Sequence, residues 1–557
     1  MAFHLRFHKW RDLAVAASIV GLSVAVPAAA HAQSPTPAAA SFQAHAAAIT
    51  RLTKAVQVTK DDPAPTRAFT GPVMLVDPSN PRIIVAATAE LRTQICYLAR
   101  STDAGSTWHM LTNLPALPSY PSCTNVGGGL TQSPIAWGRN HTLYYALSGY
   151  NLSDGGGGFL AQNISMLLAR STDLGNTWST TIVDNTRGLT GSAVTRDSPV
   201  ASVAVDTSGP KDVVYVGWRQ SYPNLKGAAS TSGSIVATST DGGVTFSKPV
   251  NLNTFSHTTL TVDGTSYPLV MGAPILAASS KGVVAISVPG TPSGTSIPGP
   301  TPAKPLLAAR STDHGQTWSI AAATPPEDVP LGPAVAWSAK GGPQGNFVVA
   351  YQASPNQQAG ESSILFTHST DGGATWSPVV TIDDPTVPLD TTYLPAIGVA
   401  PNGRVDVVWY DFRLGHGFSP DVYYTYSGDG GATWAPNVRA TDQSIDYSLG
   451  VSGNSDVRQP PGVASANQYA AIGWADTRLA NATTQTQDDF GDVAQFAALP
   501  STTSTLAPLL AAFFGGLAIA GAILVLVLLR RRRTSAPIPP NARDPEPDRS
   551  AASVPTG

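Results

Sequence analysis

Ser-Thr-Asp-Ala-Gly-Ser-Thr-Trp, running from Ser101 to Trp108, is the stretch on which the reading of this chain turns. The same octet returns at Ser171–Trp178, Ser239–Phe246, Ser311–Trp318, Ser369–Trp376 and Ser427–Trp434, with starts 70, 68, 72, 58 and 58 residues apart. Each copy sits between β-type runs, as with Ile364-Leu365-Phe366-Thr367 before the fifth and Val379-Val380-Thr381-Ile382 after it, so it reads as a hairpin connection. The residue types suit a turn. An aspartate accepts backbone N–H bonds, glycine supplies a positive φ, and threonine adds a local hydroxyl bond. The closing Trp or Phe is a large apolar anchor for packing one sheet on the next.

Working outward, a second element precedes each octet. Pro and small apolar residues start it, as in Pro134-Ile135-Ala136, Pro199-Val200-Ala201 and Pro395-Ala396-Ile397, where proline suits the first position of a strand. A β-branched and aromatic run follows, such as Val213-Val214-Tyr215-Val216 or Val405-Asp406-Val407-Val408-Trp409. Then come a variable loop, a strand into the octet and a strand out of it. Four strands per repeat make a propeller blade, so the fold class is all-β. Innermost strands are expected near Pro72, Pro134, Pro199, Pro274, Pro333, Pro395 and Pro461, which gives seven blades; six blades and an extra hairpin is the alternative. The seventh unit has strands near Tyr469–Trp474 and Asp492–Ala497 but no outer strand. Ala55 to Pro63 resembles the strand leaving the fifth octet, with Asp61-Asp62-Pro63 set against Asp383-Asp384-Pro385. The N-terminal strand, Val56 to Thr59, is therefore expected to complete the last blade and remove the open edges.

Ser-x-Asp-x-Gly-x-Thr-Trp resembles the Asp box, or BNR repeat, of bacterial sialidases and related propellers, over residues 54–498. The resemblance implies that Asp103, Asp173, Asp241, Asp313, Asp371 and Asp429 are structural turn residues, away from any catalytic centre. It also implies that the opposite face, made by loops after second strands and by inter-blade links, is the binding face. Candidates there are Arg92, Arg196, Asp197, Arg219, Asp411, Arg413, Arg458, Asp476 and Arg478. A sialidase-type site grips a sugar carboxylate with arginines, whose planar forks match it, and uses an Asp as general acid or base. Arg458, Arg413, Arg478 and Asp197 are the catalytic candidates on that basis. The sialidase Arg-Ile-Pro element is replaced at the first blade by Thr70-Gly71-Pro72, while Arg458-Gln459-Pro460 has its spacing at the last.

Trp409-Tyr-Asp411-Phe-Arg413 with Asp421, and Trp474-Ala-Asp476-Thr-Arg478 with Asp492, repeat one pattern in two blades. The repetition favours an Asp–Arg–Asp clamp across a hairpin over a ligand site. Gly155 to Gly158 lacks the Lys-Ser/Thr of a phosphate-binding loop, no Cys/His cluster has zinc spacing, and no cofactor is expected. Thirty-three basic against 36 acidic residues leave a net charge of −3, which gives no reason to expect nucleic acid as a partner.

Both ends read as export and anchoring signals. Residues 1–32 carry Arg6, Lys9 and Arg11, an apolar run from Leu13 to Val26 and an Ala30-His31-Ala32 cleavage site. Residues 33–53 read as a leader and 499–505 as a stalk. Residues 506–529 are uncharged, long enough at about 1.5 Å per residue to cross about 30 Å of hydrocarbon, and followed by Arg530 to Arg533. The tail 530–557 reads as disordered and cytoplasmic. The expected protein is single-pass in the cell membrane with its propeller outside, where Cys96 and Cys123 are free to form a disulfide. Its expected function is binding a glycan or protein ligand on the loop face. The alternatives are an exo-α-sialidase-type glycoside hydrolase and an extracytoplasmic scaffold.

Overall fold

A computed structural model describes residues 49–496 apart from 53, 63–66, 93–94, 112–121, 125–133, 151–164, 186–200, 223–230, 293–294, 296, 298–301, 327, 355–361, 385–391, 415–418 and 452–458. The signal 1–32, most of the leader, the stalk, the 506–529 segment and the tail lie outside the described residues. Among those described, no helix is long and apolar enough to cross a membrane.

Among the described residues, seven antiparallel blade sheets span 73–110, 135–185, 201–251, 275–322, 328–381, 392–439 and 462–496, with two two-stranded ribbons between the third and fourth blades and within the fourth. Blade 6 shows the plan: Thr392–Val399, Val405–Asp411, Asp421–Ser427 and Val438–Arg439 pair in that order. The first strand of every blade touches the first strand of the next, and blade 7 returns to blade 1. First strands therefore ring the axis. A cavity of about 230 Å³ lies there, lined by the first strands of blades 1, 5, 6 and 7.

The core is divided. Seven separate clusters of buried side chains fill the seven blade-to-blade interfaces, so each sheet buries both faces against its neighbours. This explains the near-continuous burial of strands such as Val405–Asp411, every residue of which is buried.

The octets form one turn six times over, joining third strand to fourth. In the first, the Ser101 hydroxyl accepts the Gly105 N–H at 2.9 Å and donates to Asp103 at 2.8 Å. Asp103 in turn accepts the Thr107 N–H at 2.8 Å and hydroxyl at 2.7 Å. Glycine is required twice over at this turn. Gly431 has φ +106°, and a Cβ there would lie 2.2 Å from Phe366 of the preceding blade. The octet thus also presses each blade onto the one before it.

The N-terminal strand closes the ring, as the sequence predicts, but in a different phase. Ile49–Leu52 and Val56–Gln57 both pair with Asp488–Phe496, so the propeller begins ahead of the expected boundary at 54. The Val58 N–H donates to the Asp489 carbonyl at 2.7 Å, and Thr59 donates its hydroxyl to Asp488 at 3.0 Å. In blade 6, Ala440 and Thr441 make the same bonds to Val422 and Asp421, each at 2.7 Å. Thr59 is therefore the counterpart of Thr441 and, in blade 5, of Asp383; the Asp-Asp-Pro match is displaced by two residues. Pro333 and Pro395 also depart from expectation. They lie inside first strands at register shifts, where a bulge spares them a ladder bond.

Candidate functional site

Second strands end on the face opposite the octets, and in three adjacent blades they end on a buried acid followed two residues later by arginine. The pairs are Asp411 and Arg413 in blade 6, Asp476 and Arg478 in blade 7, and Glu90 and Arg92 in blade 1. Each acid first accepts the backbone N–H of its arginine, at 2.9, 2.8 and 3.1 Å respectively. That bond turns the chain out of the sheet, which is why the acid is needed at the strand end.

The arginines then diverge. Arg413 grips Asp411 through Nε and Nη2, the shortest bond being 2.7 Å, and lies over the Tyr423 ring at 4.2 Å. Arg478 binds Asp476 at 2.7 Å and Asp442 at 2.8 Å and lies over Phe490 at 4.3 Å. Burial works against its charge, but the bonds to Asp476 and Asp442 more than offset this and raise its pKa above the ordinary arginine value. Arg92 leaves Glu90 and donates instead to the Thr484 and Gln485 carbonyls of blade 7, at 2.8 and 3.0 Å. Its place over the aromatic ring of blade 1 goes to Arg67, which lies 4.9 Å from Tyr97 and pairs with Asp62 at 2.7 Å.

The expected Asp–Arg–Asp clamp keeps its Asp411–Arg413 half in blade 6 and needs correction in blade 7. Asp421 lies opposite Asp411 but is held by Arg439 at 2.7 Å, with Thr441 and Ser444 donating to it as well. In blade 7 the residue opposite Asp476 is Asp488, since Asp492 pairs further along with Ile472. The clamp in blade 7 runs instead to Asp442, in the link from blade 6. Arg439 and Arg478 both bind that link, at Ser444 and Asp442, so residues 442–444 bridge the two blades.

Arg219 is exposed on the second strand of blade 3 and stands apart from this row. Arg196, Asp197 and Arg458 lie outside the described residues. The structure therefore brings Arg413 and Arg478 onto adjacent blades, each occupied by its own carboxylates. Among the described residues no group of three or more His, Cys, Asp or Glu could hold a metal ion. Cys96 is buried opposite Ala89 and disulfide-bonded; the one other cysteine, Cys123, has its side chain outside the described set.

Two residues on this face escaped the sequence reading. Asp383 is buried at the end of blade 5, beside Asp411 and Arg413, and its Oδ1 has no hydrogen-bond partner. Burial pushes its pKa up to about 7. The Ile364 N–H opposes that rise, and of its charged neighbours Asp411 adds to it while Arg413 works against it. In blades 4, 6 and 7 the same place holds Thr324, Thr441 and Thr59, whose hydroxyls accept the third-strand N–H at 3.0, 3.3 and 3.1 Å. An acid in a threonine's place was legible only once the strands were in register. Arg439 is the other; nothing in Asn437-Val438-Arg439 marks its partner Asp421, 18 residues earlier.

No protein-family profile matches the chain, and no curated protein matches it. Among solved structures, a protein of unknown function from Dyadobacter fermentans is 13% identical, covering 68% of this chain and 100% of its own, with a TM-score of 0.43. An α-L-arabinofuranosidase of Fusarium graminearum, solved with arabinobiose, is 15% identical over 64% of this chain and 92% of its own, with a TM-score of 0.39. A Hadza microbial sialidase is 15% identical over 74% and 76%, also at 0.39.

Proposed function

We propose that this protein is an exported propeller, held at the cell membrane by residues 506–529, that binds an uncharged glycan on the loop face of blades 6, 7 and 1. The observation that carries the reading is the pairing of Arg413, Arg439 and Arg478 with carboxylates of their own blades or of the link between blades 6 and 7. A guanidinium offers five N–H donors and a carboxylate about four acceptor positions, so Arg439 and Asp442, both partly open to solvent, keep bonding capacity after binding Asp421 and Arg478. Fixed donors and acceptors side by side suit the hydroxyls of a neutral sugar. They suit an acidic sugar poorly, because its carboxylate must displace a carboxylate already seated. Asp442 and Ser444 are exposed and Arg439 partly so, which leaves the bridge between blades 6 and 7 open to a ligand. The pairing counts against the exo-α-sialidase alternative, which needs arginines free to take a sugar carboxylate.

The test is a glycan array probed with the purified full-length protein, beside Asp442→Ala and Arg439→Ala variants and a fluorogenic sialoside. Binding to neutral glycans that falls at least tenfold in both variants, with no sialoside turnover, is the expected result. Absence of binding to every neutral glycan would sink the proposal, and turnover of the sialoside would restore the hydrolase.

A further inference from the structure

Asp489 breaks the repeat where the ring closes. It is the second residue of the third strand of blade 7, and its side chain is fully buried. At the same place the other blades carry Cys96, Met166, Ser234, Leu306, Ile364 and Val422, five apolar side chains and one serine. Neither carboxyl oxygen of Asp489 has a hydrogen-bond partner. From blade 1 the Thr88 hydroxyl, itself buried and without a partner, and the Gly71 N–H act on the carboxyl, but neither meets it in hydrogen-bonding geometry. Thr88 stands where blades 3, 5, 6 and 7 place Trp218, Tyr351, Trp409 and Trp474. Among the described residues, the other titratable groups that sense the carboxyl are Asp488 beside it and, from blade 6 and its link, Tyr410 and Tyr447, with no cation among them.

The backbone of the same residue holds the closure. The Asp489 carbonyl accepts Val58 N–H and its N–H donates to Thr59, while the Gln487 carbonyl accepts Phe69 N–H at 2.9 Å. Residues 487–489 thus tie down both the N-terminal strand and the segment Arg67–Gly71 that leads into blade 1.

We propose that Asp489 is a pH-dependent latch on ring closure: protonated it stays buried in the seam between blades 7 and 1, and ionised it reaches water only by parting that seam. The closed state binds the proton tightly, with burial raising the pKa to about 8, whereas in an opened seam the carboxyl returns to the ordinary range. The sign follows. Opening releases a proton, so rising pH favours it, by about tenfold per pH unit between the ordinary carboxylate value and about 8, and no further above that. The seam is tightest in acid.

Hydrogen exchange of the full-length protein from pH 5 to 9, corrected for the intrinsic rate, tests this. Peptides covering 54–62, 67–72 and 488–496 are expected to lose protection about tenfold per pH unit up to about 8 and then level off, while peptides of blade 3 do not change. In Asp489→Asn, and in Asp489→Val, which restores the residue type of Val422, the seam peptides should be flat. Infrared difference spectroscopy of wild type against Asp489→Asn separates this carboxyl from Asp383, which is raised as well: a protonated carboxylic acid band absent from the variant should persist at pH 7 and vanish above pH 9. Seam protection that is flat in the wild type, an equal loss in the variants, or no acid band at pH 7 would each overturn the latch.

Discussion

Replacing Asp383 with threonine should stabilise the protein, and by an amount set by pH. The carboxyl sits buried at the end of blade 5 with its pKa raised from 3.8 to about 7. Folding therefore takes up a proton across that interval, and each pH unit between the two values costs about 1.4 kcal/mol. About 3 units give about 4 kcal/mol lost by pH 8 relative to pH 3.5, all of it absent in a variant that cannot ionise. The direction is that of a raised pKa: the contribution is fully present below the unfolded value and lost as pH climbs through the folded one. Threonine should fit, because Thr441 and Thr324 fill the same place and accept the third-strand N–H that Asp383 takes from Ile364. The assay is urea denaturation of wild type and Asp383→Thr at pH 4 and pH 8. The variant should gain about 4 kcal/mol at pH 8 and under about 1 kcal/mol at pH 4. Equal differences at the two pH values would refute the burial argument, whatever their size.

Two further outcomes follow from the bonds described. Arg404 binds Asp406 twice, at 2.8 and 3.0 Å, donates to the carbonyls of Ala466, Asn467 and Tyr469 in blade 7, and lies 3.8 Å over Phe496. Arg404→Ala leaves Asp406 buried and unpaired and should cost about 3–5 kcal/mol in thermal or urea denaturation, most of it recovered by Arg404→Met with Asp406→Leu. Asp313→Ala removes an acceptor of both the Thr317 N–H and hydroxyl and should cost about 2 kcal/mol at pH 7. Hydrogen bonds hold the Asp313 pKa down to about 2 against burial, so this deficit should shrink as pH falls from 3.8 through 2, measured by the same denaturation series.

What the sequence reveals here depends on the range of the interaction. The octets are local: Ser101, Asp103, Gly105 and Thr107 bond one another within a turn, so their spacing alone states the structure. Seven blades follow from counting them, together with the prolines that head the inner strands. Phase was harder. The Asp-Asp-Pro likeness is set by residues leaving the sheet, whereas the pairing of Val56–Gln57 with Phe490 and Gly491 is set by the ladder, so the likeness ran two residues off. The loop face was legible as a row of acids and arginines, but not in its partners. Asp421 has three arginines within 18 residues in sequence, Arg404, Arg413 and Arg439, and only the folded link 442–444 shows that Arg439 takes it and Arg478 takes Asp442. Asp383 and Asp489 carry no motif at all; each is visible only as an exception to a register that the structure defines.

Closure by the N-terminal strand has a consequence for how the chain is made. Ile49 pairs with Phe496, so the first described strand to leave the ribosome waits for the last. Blades 1 to 6 can form in order as they emerge, each on the edge of its predecessor, from contacts close in sequence. The last interface joins segments more than 400 residues apart, and such non-local pairing is slow to find. Until then the face of blade 1 and the edge of blade 7 are both uncovered, and an unpaired edge recruits whatever strand is nearby. A chain stopped short of Asp488 would keep those edges permanently. Emergence of Asp488–Phe496 is thus the event that lets both edges be covered, and the N-terminal strand is where that event is registered.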